Sequence, residues 1–473
     1  MDKKQIIDNV IIPIEKQGFH AYFVGGCVRD ALMDVEPHDY DICTDATPKQ
    51  LHTIFEKFSN TSKNAEPFGV TMPLIKIDNA TEEFEIATMR RDITKGRHPK
   101  VVFTTDMRED AMRRDFTVNA IYEDRYGEIY DPTGLGVKDI KKNVLRFVGN
   151  AWERVEEDPL RLWRYVRFVS QKGFEPYERK AAAVPSGDKV EEWSFLDGKV
   201  KEVGTEKLFA DISKERQLKE LIGIFGGKRF DRDIISLMGR FGILYHIGLD
   251  NLLEDMGKCE QSAKWHREGN VFEHTMLVIE AMKAQEHDWI DMLAALLHDV
   301  GKPEAGRQNG MKNGVPIVHG HDVIGAPIAY DFCKSLGMRN EDCEIVRWLV
   351  ENHMLAHRIS ETSSKYKVWK LVSHKWFDRL LKLSNADSKG SIHAVPDETP
   401  DLCEFIKEPW VAALVGKEMP KPIVTGIDLI CREIKPNKNF SKALEVAYKM
   451  QIDNNASKQK IISNVINLAK ESA

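Results

Sequence analysis

Along the first third of the chain, short apolar runs alternate with polar, glycine- or proline-bearing breaks. "AYFVGG" (21–26), "YDICT" (40–44), "MPLIKI" (72–77) and "EFEIATM" (83–89) are short, β-branched or aromatic, and bounded by polar residues or Gly, which predicts strands. "RDALM" and "TPKQLHTIFEKF" predict helices, the second opening on Thr47-Pro48, a cap followed by a first-turn proline. From about Asn150 onward the pattern is almost wholly helical. "DPLRLWRYVRFVSQKGF" starts at Asp158-Pro159 and stops at Gly173, whereas "SGDKVEEWSFLDGKVKEVG" (186–204) has three Gly and no clear period, as an irregular connector would. No internal repeat or low-complexity tract interrupts this order. The fold class expected is α+β: a small N-terminal mixed sheet with helices, followed by all-α segments.

Composition narrows the setting. At 473 residues the chain is long enough for about three domains. Its 42% hydrophobic and 30% charged residues are those of a soluble globular protein. No apolar run approaches the roughly 18 residues of a membrane span, and the start, "MDKKQIIDNVIIPIEK", lacks a signal peptide's apolar core. Seven scattered cysteines, never spaced Cys-x-x-Cys, argue against a disulfide framework or a thiolate zinc site, so a reducing, cytoplasmic setting is expected.

The net charge of −6 makes no global case for nucleic-acid binding, but residues 161–180 carry six Lys/Arg against two Glu, a stripe that could meet a phosphate backbone. Histidine is divided more sharply. Four occur up to His98, none from 99 to 245, and eleven from His246 to His393, which points to a second site with different chemistry in the second half.

Two groups of residues carry the chemistry. In the first, Asp39 and Asp41 are one residue apart, so on a strand they face the same way. Adjacent carboxylates repel unless a cation lies between them, and a divalent metal is the usual answer. Glu85, in the apolar strand "FEIATM", is a candidate third carboxylate. Gly25-Gly26 between strand and helix let backbone amides approach phosphate, and Arg29 could add a bidentate contact. Asp158 and Arg161, read as i and i+3 on one helix face, pair an acceptor with a donor. That suits the Watson–Crick edge of cytosine or adenine and not that of guanine or uracil. In the second group, His298-Asp299 ends an apolar helical run, with His274 before it and His319, His321, His353 and Asp387 after it. Neutral imidazoles with carboxylates suit Mn, Fe, Co, Ni or Zn, and a metal-bound water is a nucleophile for phosphoester hydrolysis near neutral pH.

"VGGCVRDAL", "DYDICT", "EIATMRRD…GRHP", "EDAMRRDFTVNAIY", "YDPTGLGVKDI" and "EEDPLRLWRYVRF", in this order over about residues 20–175, resemble the motifs of the class II tRNA nucleotidyltransferase and bacterial poly(A) polymerase family. The resemblance implies a nucleotidyltransferase head followed by a helical neck and body. It implies catalytic Mg²⁺ on Asp39 and Asp41, and triphosphate on Gly26 and Arg29. It also implies nucleotide on Arg114, Asp158, Arg161 and Arg164, with Asp158 and Arg161 reading the base. The segment 90–99, "RRDITKGRHP", is one or two residues shorter than the family's pattern for the loop that helps switch from C to A. "VFEHTML", "LLHDVGKP", "HGHDVIGA" and "VENHM" resemble the HD-domain metal-dependent phosphohydrolases, as attached to a subset of bacterial CCA-adding enzymes. That resemblance implies His274, His298, Asp299 and Asp387 as core ligands and His321 and His353 as further ligands where two metals bind, and it leaves His319 an unassigned neighbour. It implies 2′,3′-cyclic phosphodiesterase, 2′-nucleotidase and phosphatase activities.

The domains expected are a head at 1–145, a neck and body at 146–250, an HD domain at 251–400 and a helical tail at 401–473. The function expected is CCA addition to tRNA from CTP and ATP, with tRNA as partner and no membrane. A poly(A) polymerase of the same superfamily, an HD nucleotide or cyclic-phosphate hydrolase with a degenerate head, and a non-catalytic RNA-binding protein are the rivals. The HD segment and Glu157-Asp158…Arg161 favour CCA addition over the first, and the intact Asp39/Asp41 pair opposes the second. The completeness of both metal constellations opposes the third.

Overall fold

The apolar runs of the first third assemble into a six-stranded mixed sheet in the computed structural model. In chain order its strands are β1 (Ala21–Val24), β2 (Ile42–Thr44), β3 (Gly69–Ile77), β4 (Ala80–Thr88), β5 (Tyr122–Glu123) and β6 (Ile129–Tyr130), arranged β3-β4-β2-β1-β5-β6. The pairs β1/β2, β1/β5, β3/β4 and β5/β6 are antiparallel and β2/β4 is parallel. Phe23 lies opposite Ile42, and Ile42 opposite Ile86, each at most 1% exposed. This apolar rung across three strands fixes the register, because a one-residue slip would turn it to the other face. The structure describes residues 2–55, 69–77, 80–94, 100–180, 189–359, 362–392, 402–434, 436 and 439–470. They fall into two units, Met1–Asp250 and Asn251–Ala473.

Helix α1 (Gly26–Leu32) follows β1, and α2 (Pro48–Ile54) opens on a capping box between Thr47 and Gln50. Beyond the sheet come α3 (Ala151–Glu157) and α4 (Leu160–Lys172), the latter closed by Gly173 at φ +73°, as the sequence pattern requires. The expected connector at 186–204 is a correction. Its described part contains α5 (Glu192–Val203), whose buried Leu196 and Val200 sit four residues apart on one face. Helix α6 (Lys214–Phe225) packs on α4, and short strand pairs at Val144–Leu145/Glu175–Pro176 and Glu178–Lys180/Lys189–Glu191 interrupt the helical pattern.

The second unit is built around α7 (Val271–Lys283), α8 (Trp289–Leu297), α9 (His321–Ser335), α10 (Asn340–Arg358) and α11 (Phe377–Gly390). Every residue of α8 from Ile290 to Leu297 is buried, as expected of a helix whose one charged residue there, Asp291, is paired. Arg379 of α11 ties it to its neighbour, bonding Asp291 of α8 at 2.5 Å and the capping Asp288 at 2.6 Å. The helices Phe440–Asn454 and Lys458–Lys470 share a small core of Ala443, Ala447, Ile461 and Val465. Among the described residues no helix is long and apolar enough to cross a membrane, and the described cysteines are free thiols.

Candidate functional site

In the first unit the chain leaves β1 through Gly25, whose φ of +76° is open to glycine at little cost. Its amide donates to the Ile121 carbonyl at 3.1 Å, and its carbonyl accepts from the Arg29 amide at 3.0 Å. Gly26 is therefore the first residue of α1. Asp39 and Asp41 lie just before β2 rather than inside it, and both are exposed. Tyr40 between them turns inward onto Phe23, with ring centroids 5.6 Å apart, and the Asp41 carbonyl accepts from the Val24 amide at 3.0 Å. An all-oxygen pair of this kind suits a hard cation such as Mg²⁺. The parallel register of Ile42 with Ile86 brings the backbone of Glu85 beside that of Asp41, and the Glu85 side chain lies outside the described residues.

The arginines of this unit are spent on internal carboxylates. Arg29, 5% exposed, donates to the single oxygen Asp30 Oδ1 through Nε at 2.9 Å and Nη2 at 2.7 Å, while Nη1 donates to Asn119 at 2.6 Å. Asp110 is fully buried and accepts from Arg113, Arg114 and the Tyr122 hydroxyl. Burial opposes its charge, but Arg114 and Arg113 hold the carboxyl well below its ordinary range. The basic stripe at 161–180 is likewise neutralised in its described part. Arg161 pairs with Glu157 and Arg167 with Glu220, each at 2.7 Å; Arg164 pairs with Asp115 at 2.7 Å and Lys172 with Asp30 at 3.0 Å. Burial raises the Asp115 carboxyl, and Arg164 and Asn119 more than reverse this, bringing it to about 2.

The placing of Asp158 corrects the reading of one helix face shared with Arg161. Asp158 sits between α3 and α4 in an extended conformation (φ −148°, ψ 101°), because the residue before a proline is driven from the helical region. Its carboxylate pairs with Arg216 of α6 at 2.7 Å, while Arg161 donates to the Arg154 and Arg113 carbonyls. Both nevertheless line a cavity of about 420 Å³, together with Arg114 and Arg164 and with Arg216 and Glu220 of α6. Gly26, Arg29, Asp39 and Asp41 are not among its walls. Arg216 lies 58 residues from Asp158, and no local pattern in the sequence pointed to it.

In the second unit the six expected ligands converge. His274 Nε2 lies 3.0 Å from Asp387 Oδ1 and 3.3 Å from His298 Nε2, and Asp299 Oδ2 lies 3.2 Å from His298. The other oxygen, Asp299 Oδ1, lies 3.2 Å from His321 Nε2 and 3.7 Å from His353 Nε2. Asp299 thus joins two three-residue groups whose donor atoms all lie within 4.8 Å of one another: His274, His298 and Asp387, and Asp299, His321 and His353. All six are buried. Gly301 makes this possible, since a Cβ there would stand 2.1 Å from the His321 carbonyl and 2.5 Å from the Gly325 amide. His319 is exposed and takes no part.

Ring orientation fits a metal. His298, His321 and His353 donate Nδ1–H to the carbonyls of Ala295, Val318 and Val350 at 2.7–2.8 Å, so each ring presents Nε2 inward. His321 and His353 then face each other Nε2 to Nε2 at 3.2 Å, an arrangement that a shared cation relieves. Burial opposes charge on Asp299, yet His298 and Lys302 hold its carboxyl well below the usual range. Burial also opposes a proton on His274, but Asp387 and Glu268 outweigh it and push the imidazole up to about 9, so a metal there displaces a proton. Two neighbours were not anticipated from the sequence, Lys302, 2.6 Å from Asp299 Oδ2, and Glu268, 3.1 Å from His274 Nδ1. Lys302 follows His298-Asp299 within one turn and was the more readable of the two.

Residues 21–146 match the Poly A polymerase head domain, and residues 271–388 match the HD domain, a span that includes all six ligands. The CCA-adding enzyme of Oceanobacillus iheyensis is 41% identical over 167 residues, 35% of this chain and 40% of that protein. The CCA-adding enzyme of Lactobacillus delbrueckii subsp. bulgaricus is 36% identical over 223 residues, 46% of this chain and 50% of that protein. The chain thus spans about half or less of the length of these curated relatives. Two solved structures share the fold. The Bacillus stearothermophilus CCA-adding enzyme in complex with CTP has a TM-score of 0.63 at 22% identity, covering 99% of this chain and 98% of that one. The Thermotoga maritima CCA-adding enzyme complexed with tRNA has a TM-score of 0.55 at 16% identity, covering 99% and 96%.

Proposed function

We propose that this chain, with its Poly A polymerase head domain and its HD domain, is a tRNA CCA-adding nucleotidyltransferase that also hydrolyses phosphoesters. The observation that carries the first activity is the cavity bringing Arg114, Asp158, Arg161 and Arg164 together, with a volume in the range of small-ligand pockets. The names of the relatives support the same reading.

In this reading the tRNA 3′-hydroxyl attacks the α-phosphate of CTP or ATP and pyrophosphate leaves. Asp39 and Asp41 would hold Mg²⁺, which supplies charge stabilisation at the attacking and leaving oxygens. Gly26 and Arg29 hold triphosphate, and Arg29 must exchange part of its contact with Asp30 and Asn119 to do so. Asp158 accepts the exocyclic amino group of C or A, and Arg161 donates to the adjacent ring nitrogen. The protein's contribution is positioning and electrostatics rather than covalent chemistry.

In the HD domain, His274, His298, Asp299 and Asp387, with His321 and His353, would hold one or two transition-metal ions, which generate hydroxide from bound water near neutral pH. A 2′,3′-cyclic or 2′-phosphate at an RNA end is the substrate class in view, since its removal frees the 3′-hydroxyl that nucleotide addition requires. The four-part division into head, neck and body, HD domain and tail, and a cytoplasmic setting, belong to the same proposal.

The test is extension of tRNA ending at the discriminator base, at C or at CC, with each nucleotide supplied separately. CTP should be added to the first two ends and ATP to the third. Long A-only tails without C incorporation would replace this reading with a poly(A) polymerase.

A further inference from the structure

Three of the four histidines around Asp299 are held alike: each gives its Nδ1–H to the carbonyl three residues earlier in its own chain segment. His274 alone is held by a charged group, the Glu268 carboxylate, whose side chain is 3% exposed. Glu268 Oε1 accepts from His274 Nδ1 at 3.1 Å and from His266 Nδ1 at 2.7 Å. Its other oxygen accepts the Ile392 amide at 3.0 Å, and the Ile392 carbonyl accepts the Arg267 amide at 2.8 Å. These two rungs pin the segment before α7, which carries His274, to the chain just beyond α11, which carries Asp387.

We propose that Glu268 is the positioning residue of one half of the metal centre. It fixes the His274 ring with Nε2 toward the ion and locks that ring to the Asp387 helix. The group His274, His298 and Asp387 therefore takes up metal before the group Asp299, His321 and His353. This rests on reading the six residues as a metal centre.

The physical basis is twofold. A carboxylate on the far nitrogen of an imidazole fixes its tautomer and raises its basicity toward the metal more than a neutral carbonyl does, and loss of such a partner costs about 10–100-fold in metal affinity. A cross-link between the segments bearing two ligands lowers the ordering cost of binding between them. The second group has no such carboxylate among the described residues, since its two histidines rest on backbone carbonyls.

The test uses the full chain carrying Asp39→Ala and Asp41→Ala, stripped of metal and titrated with Co²⁺. Visible absorption and calorimetry count the binding steps and their affinities, and E268Q, E268D and H353A are compared on that background. Two steps are expected, the tighter one weakened about 10–100-fold by E268Q, with partial recovery in E268D, and the weaker one removed by H353A. A single step that E268Q weakens and H353A leaves alone supports the proposal equally. Equal weakening of both steps, loss of the tighter step in H353A, or unchanged affinity in E268Q would overturn it. Should E268Q fail to fold, a tighter step unchanged in E268D would overturn it as well. If the unsubstituted centre takes up no Co²⁺, the metal reading itself falls and the proposal with it. Uptake that is blind to Glu268 removes the proposal alone.

Discussion

The two candidate sites hold charge in opposite ways. In the HD domain, four imidazoles and two carboxylates are buried, and every ring is oriented by a bond on its far nitrogen. In the head domain the two carboxylates proposed to hold metal are exposed, and the arginines expected to meet nucleotide are paired with Asp30, Asp110, Asp115 and Glu157. That arrangement keeps the cations in place at low cost, and a nucleotide bound there would have to compete for them. In the proposed reading the residues of the buried metal centre are set by the fold, whereas the nucleotide site of paired charges would be completed by its substrate.

The sharpest way to break this comparison is to remove one residue from each site. Asp41→Ala should lower nucleotide addition by about 10³-fold or more while leaving phosphoester hydrolysis unchanged. His298→Ala should do the reverse. Both variants are scored by tRNA extension and by release of product from a nucleoside 2′,3′-cyclic phosphate. A fall in both activities in either variant would mean that the two sites are not chemically independent.

The next largest effect concerns the stability of the head. Asp110 is fully buried between Arg113 and Arg114, so Asp110→Asn leaves two largely buried guanidinium groups without their counter-charge. Breaking such a group from one side costs about 3–5 kcal/mol. In urea denaturation the transition of the first unit should move to lower denaturant, with Co²⁺ binding by the HD domain unchanged. Loss of Co²⁺ binding would contradict the independence of the two cores.

Acid should expose the same charges more gently. The Asp115 carboxyl is at about 2 in the folded chain against an ordinary value of 3.8. A carboxyl depressed by folding adds stability that is fully present above about pH 4 and is lost as pH falls toward 2. Asp115→Asn should therefore flatten the fall in stability between pH 4 and 2 and leave the pH dependence above pH 5 untouched, as followed by thermal unfolding across that range.

Much of this was legible in the sequence, and what was missed has definite causes. The convergence of the six HD residues was readable because their residue types are rare enough to stand out at His298-Asp299 and because the motifs flanking them follow in order. The head motifs were readable for the same reason. Asp158 was misplaced on the α4 face although Pro159 already barred it from helical geometry, so a local rule was available and was outweighed by the i, i+3 spacing. Helix α5 was missed because its described core face consists of only Leu196 and Val200, with Gly198 between them. Glu268 and Arg216 were missed for a different reason: Glu268 precedes His274 by six residues from outside its helix, and Asp158 is 58 residues from Arg216. Contacts of either kind leave no periodic trace in one sequence.

The smallest effect tests whether the head's paired charges do more than store cations. Arg216 and Asp158 are each 27% exposed at the side chain, and their 2.7 Å contact is a partly solvated pair worth about 1 kcal/mol or less in stability. Arg216→Ala should accordingly leave the unfolding midpoint almost unchanged. Its consequence for nucleotide depends on what the pair does. If Arg216 aims the Asp158 carboxylate at the base, its loss should raise KM for both CTP and ATP by roughly fivefold, the equivalent of about 1 kcal/mol, with kcat for a single addition retained. If Arg216 instead competes with the base for that carboxylate, KM should fall by a similar factor. Single-addition kinetics with CTP on tRNA ending at the discriminator base, and with ATP on tRNA ending in CC, separate the two outcomes. Raised KM for both nucleotides is the expected result, because Arg216 lies on the cavity wall and fixes Asp158 Oδ2, while Oδ1, which accepts the Leu160 amide at 3.2 Å, keeps a second lone pair for an amino group.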